Sequence, residues 1–287
     1  MTKSLRPPDR VVASPAECRA AILDVIRGAK RDLSLSLFRC NVADIFDELA
    51  RAVARGVSVN ALVTARAAGK ATKLEKLRRR LVEAGASVGV YADPVVKYHA
   101  KYLVADDGPA VVASLNFTKK CFSRTLDALV VTYDAAVVAG LREVMAADRE
   151  MHAAPASISP RLIVGPERAR AQLTDLVAGA KSSIRMIDAK LNDPAFVALL
   201  AARRGAGVRV DVLGSKSYGN LKSHGKIWLI DDRIGLVGGL ALSAVSIDFR
   251  REVALTVDGR EAINDLRRLF DAVATPSPGA ADETARA

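Results

Sequence analysis

Residues 17–38, ECRAAILDVIRGAKRDLSLSLF, return at residues 167–188 as ERARAQLTDLVAGAKSSIRMID. Each copy is followed by a Gly-closed segment and a Val-rich run, ARGVSVNALV at 54–63 and RGAGVRVDVL at 204–213. Apolar residues recur at helical spacing up to Gly-Ala-Lys in both copies and then alternate with polar ones, as a half-buried strand does. The repeated order helix–strand–helix–strand predicts an α/β fold: two similar αβ sandwich halves, related by a pseudo-two-fold, each with a sheet covered by helices.

Local signals mark where the helices begin and end. Ser14, Pro15 and Glu17 stand as a capping residue, a first-turn proline and an acidic third position. Asp193-Pro194 opens the second helix of the second copy in the same way, and Gly56 and Gly205 stand where a helix end favours a left-handed residue. The halves differ in the middle. The first has an extra basic helix, Ala71–Glu83, and an extra strand over 86–91, where the second has a short loop, 214–222. The polar, Pro-bearing stretch MHAAPASISP at 151–160 reads as a linker. The expected division is therefore 1–152 and 153–274, with a disordered tail at 275–287.

Half of the 287 residues are apolar, enough for a large core without staples, and no apolar run is long enough to span a bilayer. The N-terminal residues lack the apolar stretch of a signal peptide. Cys18, Cys40 and Cys121 are odd in number and lack metal-ligand spacing, so a reduced, cytoplasmic setting is the simplest expectation. A net charge of +11 suits a polyanionic partner: nucleic acid, anionic lipid at a membrane surface, or a phosphate in a cleft. Arg richness without functional meaning explains it equally well.

Two of the three histidines occupy matched contexts: HAKYLVAD from His99 to Asp106 and HGKIWLID from His224 to Asp231. Both read H-x-K-x4-D, 125 positions apart, and a carboxylate stands 28 positions beyond each, Asp127 and Glu252. Residues two apart on a strand share a face, so His99 projects with Lys101, His224 with Lys226, and Ser114 with Asn116. An imidazole, an ammonium, a hydroxyl and an amide together make a phosphate receptor. Two such faces brought together place one imidazole to attack phosphorus and another to protonate the leaving oxygen. A carboxylate behind each ring would fix its tautomer. Equal offsets suggest Asp127 behind His99 and Glu252 behind His224.

The paired motifs resemble the HKD motifs of the phospholipase D superfamily. ASLNFT at 113–118 resembles its G-S-x-N element, with Ala113 in place of Gly, and DFRRE at 248–252 resembles the acidic element of cardiolipin synthase-like bacterial members. The likeness extends over residues 15–272. It implies a phosphodiesterase, acting by hydrolysis or phosphatidyl transfer through a covalent phosphohistidine, with His99 as nucleophile, His224 as general acid/base, and no cofactor or metal. Glycerophospholipid is the favoured substrate. A nuclease is the alternative, because the run Ser114 to Lys119 resembles small bacterial nucleases of the superfamily. A degenerate member that binds phosphate or nucleic acid without turnover is the third reading. It rests on one departure: Gly239 and Ala241 stand where the first half has Ser114 and Asn116, with Ser243 nearby either to compensate or to cap.

Other features have plainer readings. Asp106 and Asp231 point away from the lysines and suit a structural role at a turn. The basic helix (Lys70, Lys73, Lys76, Arg78, Arg79 and Arg80) reads first as a solvated face and second as the wall of a groove. The loop 215–222 before His224 reads as a substrate contact, His152 as a surface residue, and Trp228 as core.

Overall fold

The computed structural model describes residues 7–66, 71–215 and 217–274. Lys70, Lys216 and the expected tail at 275–287 lie outside the described residues. The chain runs β1 (Arg10–Val12), α1 (Pro15–Gly28), β2 (Asp32–Leu37), α2 (Ala43–Ala54), β3 (Ser58–Thr64), α3 (Ala71–Glu83), β4 (Ser87–Tyr91), β5 (Lys97–Tyr98), β6 (Tyr102–Ala105), β7 (Ala110–Ala113), α4 (Cys121–Arg124), β8 (Thr125–Leu126), β9 (Leu129–Thr132) and α5 (Ala135–Arg149). It continues β10 (Leu162–Gly165), α6 (Ala169–Ala178), β11 (Ser183–Asp188), α7 (Pro194–Gly205), β12 (Arg209–Leu213), β13 (Ser217–Tyr218), β14 (Leu221–Ser223), β15 (Lys226–Ile230), β16 (Ile234–Gly238), α8 (Ala244–Asp248), β17 (Arg250–Val257) and α9 (Arg260–Ala274).

One sheet has the order β1-β9-β7-β6-β2-β3-β4 and the other β10-β17-β16-β15-β11-β12. Alternation along the strands divides the interior into three apolar layers. Leu33, Leu35, Leu103, Val111 and Leu129 face α1 and α2 in the first half's own core. Ile184, Met186, Trp228, Ile230 and Leu236 face α6 and α7 in the second half's. Between the sheets lies a shared layer to which both contribute: Tyr102, Val104, Val112 and Val130 from one, Ile227, Leu229, Val253 and Leu255 from the other. Each fully buried leucine or valine contributes about 1.5–3 kcal/mol, so the shared layer holds the two halves together. Trp228 is fully buried in the outer core, as expected.

The helix starts follow their local chemistry in part. Asp193 caps α7, accepting from the backbone N–H of Ala195 and Phe196. Ser14 precedes Pro15 as expected but makes no side-chain cap, and only its carbonyl accepts, from Cys18 N at 2.8 Å. Gly56 takes the left-handed conformation (φ +87°). At the matching place of the second half it is Gly207 (φ +88°) that does so, because Gly205 is still the last helical residue of α7. No described helix is long and apolar enough to cross a membrane.

Two short strands cross from one half to the other. β5 pairs in parallel with the start of β17, Lys97 opposite Arg250 and Tyr98 opposite Arg251. β8 pairs in parallel with β14, Thr125 opposite Lys222 and Leu126 opposite Ser223. The second pairing is the first one shifted by 125 positions, so the pseudo-two-fold relates the two exchanges. In the loop before His224, residues 217–223 form the hairpin β13–β14, and β14 pairs with the other half just ahead of His224.

Candidate active site

Each strand exchange ends on a histidine. One residue beyond the β5–β17 register stands His99 beside Glu252, and one beyond the β8–β14 register stands His224 beside Asp127. His99 Nδ1 lies 2.5 Å from Glu252 Oε1. His224 Nδ1 lies 2.9 and 3.0 Å from the two oxygens of Asp127. The expected pairing, Asp127 with His99 and Glu252 with His224, is thus corrected: each ring is held by the carboxylate of the opposite half. Parallel pairing across the interface requires this, because each carboxylate directly follows the two residues that pair with the strand leading into the other half's motif.

With both Nδ1 atoms engaged, Nε2 is the nitrogen each ring has left for the cleft they share. The cleft has a volume of about 200 Å³ and is lined by His99, His224, Lys226, Asn116, Lys190 and Arg250, among others. The motif lysines are almost wholly buried. Lys101 Nζ donates to the His99 carbonyl and lies 3.8 Å from Glu252 Oε2. Lys226 Nζ donates to the His224 carbonyl at 2.5 Å.

Ser114 was expected to hold phosphate. Instead its hydroxyl donates to Asp127 Oδ1 at 2.8 Å and accepts from Ala128 N at 3.0 Å, behind the His224 ring and closed to solvent. Thr125 donates to the other Asp127 oxygen at 2.6 Å. Asn116 does face the cleft, and its Oδ1 is buried without a hydrogen-bond partner.

The departure at Gly239 now has a physical reason. A Cβ there would lie 2.0 Å from Glu252 Oε2. The first half combines Ser114 with the shorter Asp127; the second combines Gly239 with the longer Glu252, whose extra methylene fills the space of the missing side chain. Gly239 therefore leaves room for the carboxylate behind His99. Ser243 caps α8 by accepting from Ser246 N, so it does not compensate at the cleft.

Asp106 and Asp231 stand at the far ends of β6 and β15, both with positive φ (46° and 53°). Asp106 accepts from the N–H groups of Lys30, Arg31 and Asp32, and Asp231 from those of Lys181, Ser182 and Ser183. Burial works against ionisation of Asp231, but these bonds outweigh it and hold its carboxyl down at about 2. Each aspartate thus ties the Gly-Ala-Lys loop of its half to the end of the motif strand.

Burial and charge act on several groups of the site. Burial, reinforced by the charges of Lys101, Arg250, Lys226 and Lys190, keeps the His99 imidazole well below its usual pKa and hence neutral. Burial likewise pushes Glu252 up and brings Lys101 down to about 8. Burial opposes ionisation of Asp127 as well, but hydrogen bonds from His224 and Thr125 outweigh it and hold that carboxyl below its usual range. The ionised Asp127 faces the Nδ1 of His224.

Several cleft residues escaped the sequence reading. Phe38 lies 4.1 Å, centroid to centroid, from the His99 ring. Lys190 follows β11, and its backbone N–H is fixed by the buried Asp188, which also accepts from Leu242 N. Arg250 was readable in principle, two positions before Glu252 on the same strand and so on its face, and Lys97 stands two positions before His99 at the end of β5. Lys190 had no such signal. Among the described residues one set of metal-type donors converges, Cys121, Asp127 and His224, with ligand atoms within 4.8 Å. Ser114, Thr125 and His224 already engage both Asp127 oxygens, so these residues do not form an open metal site.

Residues 22–149 match the family model described as "Cardiolipin synthase, PLD-like domain". No curated protein matches the sequence significantly. Among solved structures, the polyphosphate kinase of Porphyromonas gingivalis superposes with a TM-score of 0.73 at 16% identity, covering 93% of this chain and 50% of its own. This chain thus spans half the length of that enzyme. The phosphatidylserine synthase of Haemophilus influenzae Rd KW20 superposes at 0.72 and 13% identity, covering 93% of this chain and 86% of its own. At these identities the two structures speak to fold alone, and they carry it over nearly the whole chain. The chain is thus similar to a PLD-like family model over residues 22–149 and shares the fold of these two structures over nearly its whole length.

Proposed function

We propose that the chain is a phosphodiesterase that works through a phosphohistidine on His99. One observation carries this: two imidazoles from different halves line one small cationic cleft, each with Nδ1 held by a buried carboxylate. In the first step the Nε2 lone pair of neutral His99 forms a P–N bond. The bond from phosphorus to the leaving oxygen breaks, and that oxygen takes the proton from Nε2 of the His224 imidazolium. In the second step neutral His224 accepts a proton from water or an alcohol as its oxygen attacks phosphorus and the P–N bond breaks. Lys101, Lys226 and Asn116 hold the non-bridging oxygens, and Lys190 and Arg250 add positive charge where negative charge accumulates. Asp127 and Glu252 hold the two rings in the required tautomers.

Water as acceptor gives hydrolysis, and a lipid alcohol gives phosphatidyl transfer. The match to a cardiolipin synthase-like domain supports a glycerophospholipid substrate. An oligonucleotide is the second reading, favoured by a cationic groove that opens beside the cleft.

The experiment is intact-mass analysis of His224→Asn mixed with bis(p-nitrophenyl) phosphate. p-Nitrophenolate leaves without a proton, so the first step proceeds while the second, which needs a base, stalls. An aryl-phosphoryl adduct on His99, absent from His99→Ala, is expected. No adduct, or one that persists in His99→Ala, contradicts the assignment.

A further inference from the structure

A second concavity of about 500 Å³ shares Phe38 and Arg39 with the cleft, so the two are confluent. Six cations line it: Arg39, Lys73, Lys76, Arg80, Lys119 and Lys120. Lys73, Lys76 and Arg80 fall at helical spacing on one face of α3. The remaining arginines of that helix are paired elsewhere, Arg78 with Glu75 at 3.9 Å and Arg79 with Glu83 at 3.6 Å. The groove cations have no carboxylate partner among the described residues. Arg80 and Arg39 instead lie over the rings of Phe46 and Phe38, at 4.1 and 4.8 Å. Helix α3 thus directs its uncompensated charge at the groove and neutralises the rest.

A single phosphate in the cleft leaves this charge uncovered. Lys73 and Arg80 are seven positions apart, about 10.5 Å along the axis at 1.5 Å per residue, beyond the screening length of about 8 Å at physiological salt. A ligand that satisfies both ends carries several phosphates in a row. A bilayer surface fits poorly. An interfacial helix needs an apolar face free to enter the lipid, whereas Leu74, Leu77 and Leu81 are buried in the core and Val82 is the one large apolar side chain of α3 that is exposed.

We infer that the groove between α3 and the Thr118–Lys120 segment is a subsite for the flanking phosphates of a single-stranded nucleic acid whose scissile phosphodiester enters the cleft. This rests on the phosphodiesterase reading above and names its substrate class. The subsite binds backbone charge, so it is indifferent to sequence.

The test is fluorescence anisotropy of a labelled single-stranded DNA 12-mer with the full chain, between 50 and 200 mM salt. Six contacts at roughly 0.7 counterions each predict an affinity that falls about 300-fold over that range, and Lys73→Gln/Lys76→Gln/Lys120→Gln reduces the fall to about 20-fold. An unchanged slope in the variant, or no DNA binding by the wild type, overturns the inference. So does a variant that keeps DNA binding but loses co-sedimentation with phosphatidylglycerol vesicles, which would make the groove a membrane contact. Turnover of bis(p-nitrophenyl) phosphate by the wild type is measured alongside: its absence counts against the phosphodiesterase reading, while the salt slopes still decide the groove.

Discussion

Gly239→Ser tests why the two halves of the site are built differently. The new Cβ would fall 2.0 Å from Glu252 Oε2, against the 3.0 Å below which real Cβ contacts essentially never occur. Backbone fixes one side of this clash, because Gly239 N donates to Val253 O at 2.9 Å. The carboxylate must therefore move, and it is fully buried. Its displacement breaks the 2.5 Å contact with His99 Nδ1. A hydrogen bond to a charged group contributes about 1.5–3 kcal/mol, and 1.4 kcal/mol is tenfold in rate. Gly239→Ser should therefore lower kcat/KM on bis(p-nitrophenyl) phosphate by about 10- to 150-fold. Glu252→Asp alone leaves the carboxylate one methylene short of the ring and should cost a similar factor. Combined, the two substitutions rebuild the Ser114–Asp127 arrangement, with the new hydroxyl donating to the shortened carboxylate, and should recover at least about tenfold of the loss. That recovery corresponds to a coupling of about 1.4 kcal/mol or more in the double-mutant cycle. A Gly239→Ser enzyme at wild-type rate, or a double variant whose losses simply add, refutes the reasoning.

The remaining predictions concern pH, metal and stability. Because kcat/KM reports the free enzyme and Lys101 is needed charged, turnover should decline as pH rises past about 8, the value to which burial brings Lys101. Since His99 is held well below its usual range, the acid limb should lie well under pH 6.5; a rate still rising at pH 9.5 contradicts the first statement and a midpoint at 6.5 the second. EDTA should leave the rate unchanged, because the charge at phosphorus is met by lysines; inhibition reversed by a divalent ion contradicts this. Arg251 is fully buried, its Nε 2.6 Å from Asp148 Oδ1 and its NH1 2.5 Å from Glu167 Oε2. Burial already raises Asp148 to about 7. Arg251→Leu should therefore cost about 3–5 kcal/mol in urea unfolding by stranding that carboxylate, and a loss under 1 kcal/mol is the contrary result.

What the sequence disclosed follows from what is local. The repeat, the helix starts and the motif strands are short-range patterns, and α3 and β4 appear as expected. Lys226 opens β15, but His99, Lys101 and His224 stand just outside the strands, so strand periodicity alone does not place them. Nor does it select which carboxylate meets which ring, because that depends on two strand exchanges between segments more than 90 positions apart. Equal sequence offsets fit either pairing, and only the parallel register selects the crossed one. Ser114 was misread for a related reason: its motif marks position, whereas its hydroxyl is claimed by a neighbour 13 residues on. The reason for Gly239 was hidden because a glycine shows in sequence only what it lacks, and the longer Glu252 that fills its place lies on another strand. Lys190 was invisible because a loop brings it in with no periodic mark.

The most direct test is a crystal structure with tungstate, a tetrahedral phosphate mimic. The account predicts one oxyanion in the cleft, within bonding reach of Nε2 of His99 and in line with Nε2 of His224, while Glu252 and Asp127 remain on the two Nδ1 atoms. An anion bound away from either ring, or rings whose Nε2 atoms face different spaces, contradicts it.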